Sequence, residues 1–169
     1  MSIKNIITVP DEILKKISDP IEKVSFNEKK LVNDLFETMY DSNGIGLAAV
    51  QVGILKRILV IDVSNKDEKK RPLSLINPVI KKVSNETSIY EEGCLSIPDT
   101  FIEIERPKIC EIEYVDINGK IKNLKCDGLL STCIQHEINH LDGKLIIDDL
   151  SKLKRDMIIK KISKFKKNP

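Results

Sequence analysis

"DGLLSTCIQHEINHLDG", residues Asp127 to Gly143, carries both histidines of the chain. Leu129, Cys133, His136 and His140 recur at helical spacing, and Gly143 supplies a residue that tolerates a helix end. The pattern therefore predicts a helix with the two imidazoles one turn apart on its inward face. Two rings so placed can reach a single ion. Glu137, rotated to the side, stands over an open coordination position rather than competing for the ion, which is the mechanical content of H-E-x-x-H. The competing reading is two core histidines satisfied by ordinary hydrogen bonds. Both readings meet the cost of burying imidazoles, so the helix alone leaves the choice open.

A catalytic metal site needs a third protein ligand and an open position. No other histidine exists, and Ile146 occupies the place six residues after His140 where one family of metalloproteases keeps its third histidine. Downstream carboxylates are Asp142, Asp148, Asp149 and Asp156, which would suit a zinc endopeptidase. Upstream, "EEGCLSIP" (Glu91 to Pro98) presents Cys94 after Gly93 at the end of a strand-like run. A thiolate is a strong ligand for divalent transition metals, and Gly93 would let the backbone pass close to a substrate. Taken alone, Cys94 reads as a buried inert thiol. Beside two histidines lacking a third ligand, it becomes the better candidate.

Around this helix the other segments are legible. "SFNEKKLVNDLFETMYDSNG" (Ser25 to Gly44) predicts a helix opened by a Ser25–Glu28 capping box and stopped near Asn43-Gly44. Pro10 to Ser18 suggests a short first helix. "RILVIDV", "SLINPVI" and "TSIYEEGCLSIP" read as extended segments. "KICEIEYVDINGKIKNLKC" alternates about Asn118-Gly119 as a hairpin. Leu150, Leu153, Met157, Ile158, Ile162 and Phe165 predict an amphipathic C-terminal helix with lysines outward and the apolar stripe packed on the body. The expected class is α+β: small antiparallel or mixed sheets wrapped around a central histidine helix, within one domain over 1–169 that includes a basic helix over 151–169.

The net charge of +2 conceals an asymmetry. Residues 151–169 hold eight Lys/Arg against Asp156, so the tail carries +7 and the first 150 residues carry −5. A basic tail can engage a polyanion; it also reads as a solvated face. No apolar run suits a membrane span, and the N-terminal stretch lacks the apolar core of a secretory signal, so a cytoplasmic protein with reduced cysteines is expected. "GIGLAA" invites comparison with a phosphate loop, but its spacing fits neither glycine fingerprint.

Three stretches together strongly resemble the motifs of peptide deformylases, in order and spacing: "GIGLAAVQ" (Gly44 to Gln51), "EGCLS" (Glu92 to Ser96) and "QHEINH" (Gln135 to His140). The resemblance covers essentially the whole chain. It implies a metal-dependent hydrolase that removes the formyl group from N-formylmethionine of nascent peptides, releasing formate. By the same resemblance Cys94, His136 and His140 hold one divalent ion, Fe²⁺ in the cell, with Zn²⁺, Ni²⁺ or Co²⁺ able to substitute. Glu137 is the general base, and the Gln51 side chain and Leu95 backbone N–H receive the developing oxyanion. Gly44, Ile45, Gly46, Glu92, Gly93, Leu129 and Cys133 bind the substrate, the Ile45 and Gly46 backbone pairing with it as an added strand. The C-terminal helix resembles the extension by which some members dock at the ribosomal exit; a monomer with no membrane partner is expected. Val50 and Phe101 depart from the pattern, where relatives carry Pro or Thr and Arg. The rival classes are a zinc endopeptidase and a non-catalytic metal- or RNA-binding module.

Overall fold

The computed structural model describes residues 2–167. Ser25 caps the first helix, α1 (Phe26–Asp41), and the reciprocal bonds of the capping box between Ser25 and Glu28 are both made. Its end differs from expectation in one detail. Asn43, at φ 54°, takes the left-handed position, and the Gly44 N–H returns to the Met39 carbonyl at 2.9 Å. A Cβ at Gly44 would lie 2.7 Å from the tip of the Leu95 side chain, which would have to shift to admit it.

Strands β1 (Gly46–Ala48), β2 (Ile58–Ile61), β3 (Leu73–Val83), β6 (Ile109–Val115) and β7 (Ile121–Asp127) form an antiparallel sheet in the order β1-β2-β3-β6-β7. β4 (Thr87–Cys94) and β5 (Ile97–Pro107) pair as a second, two-stranded antiparallel sheet. The uniformly apolar "ILVI" of β2 is explained by cover on both faces. Ile58 and Val60 pack with Leu31, Leu35 and Met39 of α1. Leu59 and Ile61 pack with Ile134, Ile138 and Leu141 of α2 (Gly128–Leu141), the histidine helix. The central strand of the core thus anchors that helix. The helix closes as predicted at Gly143 (φ 73°), with Lys144 N–H on the Asn139 carbonyl and Gly143 N–H on that of His140.

Four expectations are modified. Residues 10–18 yield only a single 3₁₀ turn, Glu12–Lys15. The Asn118-Gly119 turn is a wider loop in which only Gly119 is left-handed, because Asp116 gathers the Asn118 and Lys120 N–H groups on its carboxylate. β5 was not anticipated beyond its first residues, although residues 101–106 alternate exposed and half-buried side chains along it. In the last helix, α3 (Lys152–Lys167), Ile162 is buried and Ile158 and Ile159 are partly so. Leu153, Met157 and Phe165 stay exposed, at 72%, 63% and 65%. Leu153 stands nine residues from Ile162, half a revolution round the helix, so one face cannot bury both. Among the described residues, no helix is long and apolar enough to cross a membrane.

Candidate active site

Two local periodicities build the site. On β4 the inward positions alternate, placing Glu92 and Cys94 on one face. On α2 the four-residue spacing stacks His136 over His140. The β4–β5 register shifts between Gly93 and Cys94, and Cys94 pairs with Ile97 at the strand end. The result is convergence: His136 Nε2 lies 3.2 Å from His140 Nε2, and Cys94 Sγ lies 3.3 Å from His140 Nε2. All three donor atoms fall within 4.8 Å of one another.

These separations fit a metal. Ligands at tetrahedral angles, with bonds of about 2.0–2.1 Å to nitrogen and 2.3 Å to sulfur, stand roughly 3.3 Å apart for N and N and 3.6 Å for N and S. The His136 tautomer agrees with this. His136 Nδ1 faces Glu92 Oε2 at 2.9 Å, so Nδ1 carries the proton and Nε2 presents its lone pair to the cluster. Glu92 is itself clamped by Arg106, through Nε to Oε1 at 2.6 Å and Nη2 to Oε2 at 3.0 Å. Arg106 Nη1 also donates to Asn139 Oδ1 at 2.8 Å, tying the clamp back to the histidine helix.

Glu137 is buried beside the cluster, with Oε1 4.0 Å from His136 Nε2 and Oε2 without a hydrogen-bond partner among the described residues. Burial raises its carboxyl to about 7; Glu92 adds to that, and His136 opposes it. A cation in the cradle would draw it back down. At His136 burial disfavours the charged ring, but Cys94 and Glu92 outweigh this and raise the ring to about 10; a cation bound at Nε2 would displace the second proton and leave Nδ1–H toward Glu92. Burial holds His140 well below its ordinary range, and the charges of His136 and Arg106 push the same way. Burial also works against the Glu92 charge, yet His136 and Arg106 leave its carboxyl below the usual range.

The cluster opens into a cavity of about 520 Å³. Gly44, Ile45, Gly46, Gln51, Glu92, Gly93, Cys94, Leu95, Leu129, Cys133, His136 and Glu137 all line it; His140 sits behind, reaching the cluster through Nε2 alone. Gln51 has a fixed orientation. The Ala48 N–H can only donate, so at 2.9 Å it must meet Oε1, which turns Nε2 toward Ser96 Oγ (3.1 Å) and Cys94 Sγ (3.8 Å). Glu92, expected as a substrate contact, lines the cavity and bonds through its carboxylate oxygens to Arg106 and His136. β1 lies at the sheet edge, leaving the side of its backbone away from β2 without a strand partner among the described residues. Arg106 and Asn139 were missed from sequence. In the fold Arg106 shares the inward face of β5 with Ile102 and Ile104, where an arginine calls for a buried carboxylate.

The family model described as polypeptide deformylase matches residues 3–156. A peptide deformylase of Pelagibacter ubique is 58% identical over 168 residues, covering 99% of this chain and 98% of that one. One from Rhizobium meliloti is 52% identical over 164 residues, covering 97% and 94%. Among solved structures, the peptide deformylase of Ehrlichia chaffeensis superposes with a TM-score of 0.93 at 44% identity, covering 98% of both chains. That of Legionella pneumophila gives 0.90 at 40% identity, covering 98% and 96%. With motifs, topology and near-complete coverage in agreement, this chain belongs to the polypeptide deformylase family.

Proposed function

We propose that the chain hydrolyses the formamide C–N bond of N-formylmethionine at the start of newly made peptides, giving formate and a free amine. The observation that carries this reading is the meeting of Cys94, His136 and His140 beside Glu137 at the wall of a peptide-sized cavity. Bound by Cys94 Sγ, His136 Nε2 and His140 Nε2, a divalent ion supplies a Lewis acid and makes water a stronger acid at neutral pH.

The chain's own groups perform the remaining tasks. Glu137, with Oε2 unpartnered, takes the proton of the attacking water as its oxygen joins the formyl carbon. Negative charge then grows on the formyl oxygen, toward which we assign the Gln51 amide N–H and the Leu95 backbone N–H; donors held ready in this way are worth about 2.7–4 kcal/mol each. Glu137 returns its proton to the departing nitrogen as the C–N bond breaks. The open edge of β1 at Gly46, with Ile45 beside it, receives the peptide as an added strand, and Ile45, Leu129 and Cys133 enclose the methionine side chain. Glu92 acts through His136 and not on the substrate.

We assign Fe²⁺ as the cellular ion from the motif resemblance; comparable sites bind Zn²⁺ more tightly, so supply must favour iron. The same resemblance supports one catalytic domain over 1–169, a monomer acting in the cytoplasm, and ribosome contact through α3. Formate release from formyl-Met-Ala under anaerobic conditions, with metal analysis of the same sample, tests the reading. Cleavage of internal bonds in unformylated peptides without formate release would favour the endopeptidase instead.

A further inference from the structure

Leu95 and Ser96 form the turn that joins β4 to β5, since Cys94 pairs with Ile97 on either side of them. The cavity is lined by Gln51, Cys94 and Leu95, with the fully buried Ser96 behind them. The Ser96 hydroxyl meets the Gln51 side chain at 3.1 Å, and the direction of that bond is fixed. Gln51 Oε1 is held by the Ala48 N–H, so the amide nitrogen faces Ser96 and donates to its oxygen. An amide nitrogen carries two hydrogens. With one committed to Ser96, the other is left on the side of Cys94 Sγ, at a loose 3.8 Å from Nε2. The two backbones are meanwhile tied to one short segment: Ile7 N–H donates to the Gln51 carbonyl at 2.7 Å, and Val9 N–H to the Ser96 carbonyl at 3.0 Å. The hydroxyl therefore stands at a set place beside the amide.

The inference rests on the reading above, in which the Gln51 amide and the Leu95 N–H receive the developing oxyanion. We propose that Ser96 is a positioning residue: its hydroxyl takes one Nε2 hydrogen of Gln51 and so aims the other at the formyl oxygen. One turn then serves both donors, Leu95 directly and Gln51 through Ser96. An oxyanion donor is effective only when it is in place before the charge develops. Without the hydroxyl the amide is anchored at Oε1 alone, and a buried N–H left unpaired turns toward whatever acceptor it can reach.

The test is a double-mutant cycle on metal-loaded protein, reading formate from formyl-Met-Ala-Ser. Gln51→Met removes the donor at similar volume and should lower kcat roughly 100- to 1,000-fold. Ser96→Ala should lower kcat about 5- to 30-fold, the range one hydrogen bond supplies, with KM within about twofold of wild type because the aimed donor acts in the transition state. In the Gln51→Met background Ser96→Ala should change kcat by less than about twofold. Ser96→Cys keeps the shape with a weaker acceptor and should fall between wild type and Ser96→Ala, which covers poor folding of the latter. A readout independent of turnover is the Gln51 side-chain amide in zinc-loaded, ¹⁵N-labelled protein, assigned by its loss in Gln51→Met. Ser96→Ala should shift one of its two protons and speed that proton's exchange with water. Equal losses from Ser96→Ala in both backgrounds, unchanged kcat, or unmoved Gln51 amide signals overturn the assignment and leave the deformylase reading standing. A wild type that releases no formate overturns that reading and this one with it.

Discussion

Gly46 shows how little room the site leaves. A Cβ added there would stand 2.5 Å from Glu137 Oε1 and 3.0 Å from Cys133 Sγ. Gly46→Ala should therefore displace the proposed base and lower kcat/KM on the order of 100-fold, while circular dichroism stays that of the parent. Glu137 can be tested without moving anything. Glu137→Gln preserves volume and leaves all three donor atoms in place. Metal content should match wild type while kcat falls roughly 10²- to 10⁴-fold, the usual worth of a positioned proton carrier. Retained turnover in that variant would reject the proton route. At this scale H-E-x-x-H was readable because a helix converts four-residue spacing into adjacency. The Arg106–Glu92 clamp was not, since it joins two strands and a helix whose meeting no local rule dictates.

At the level of the element, α1 is held by its first turn. Glu28 accepts from Lys56 Nζ at 2.6 Å and from the Ser25 backbone at 2.9 Å. Lys56 and then Ser25 lower its carboxyl from 4.5 to about 2. A carboxyl depressed on folding contributes fully above its unfolded value and loses that contribution as pH falls through its folded one. Stability from this group should therefore decline between about pH 4.5 and 2, by roughly 1–2 kcal/mol once screening at the half-exposed Lys56 is allowed for. Urea midpoints across that window should fall less in Glu28→Gln than in the parent. The capping box was evident in "SFNE" because its partners are three residues apart. The Lys56 contact, 28 residues away, needed the folded chain.

Across the whole molecule, α3 presents Lys160 and Lys164 on the same side as the exposed Leu153 and Met157, opposite the Ile162 anchor. Under the ribosome-docking proposal, Lys160→Glu combined with Lys164→Glu should weaken co-sedimentation with ribosomes at least tenfold at low salt. The wild-type interaction should itself fade steeply as salt rises. Because Ile162 is untouched, formyl-peptide turnover should hold. Co-sedimentation that survives the double substitution would exclude this face as the contact.

Sequence alone determined what short-range periodicity can encode: the histidine helix and its glycine stop, the capping box of α1, the extended runs, and the paired imidazoles awaiting a third ligand. Tertiary structure decided which faces meet. Cys94 and His140 are 46 residues apart, and only the folded chain brings sulfur and nitrogen to 3.3 Å. The same holds for α3, where sequence offered several apolar residues and packing selected Ile162. Periodicity fixes the side on which a residue stands, but not what the rest of the chain brings to that side.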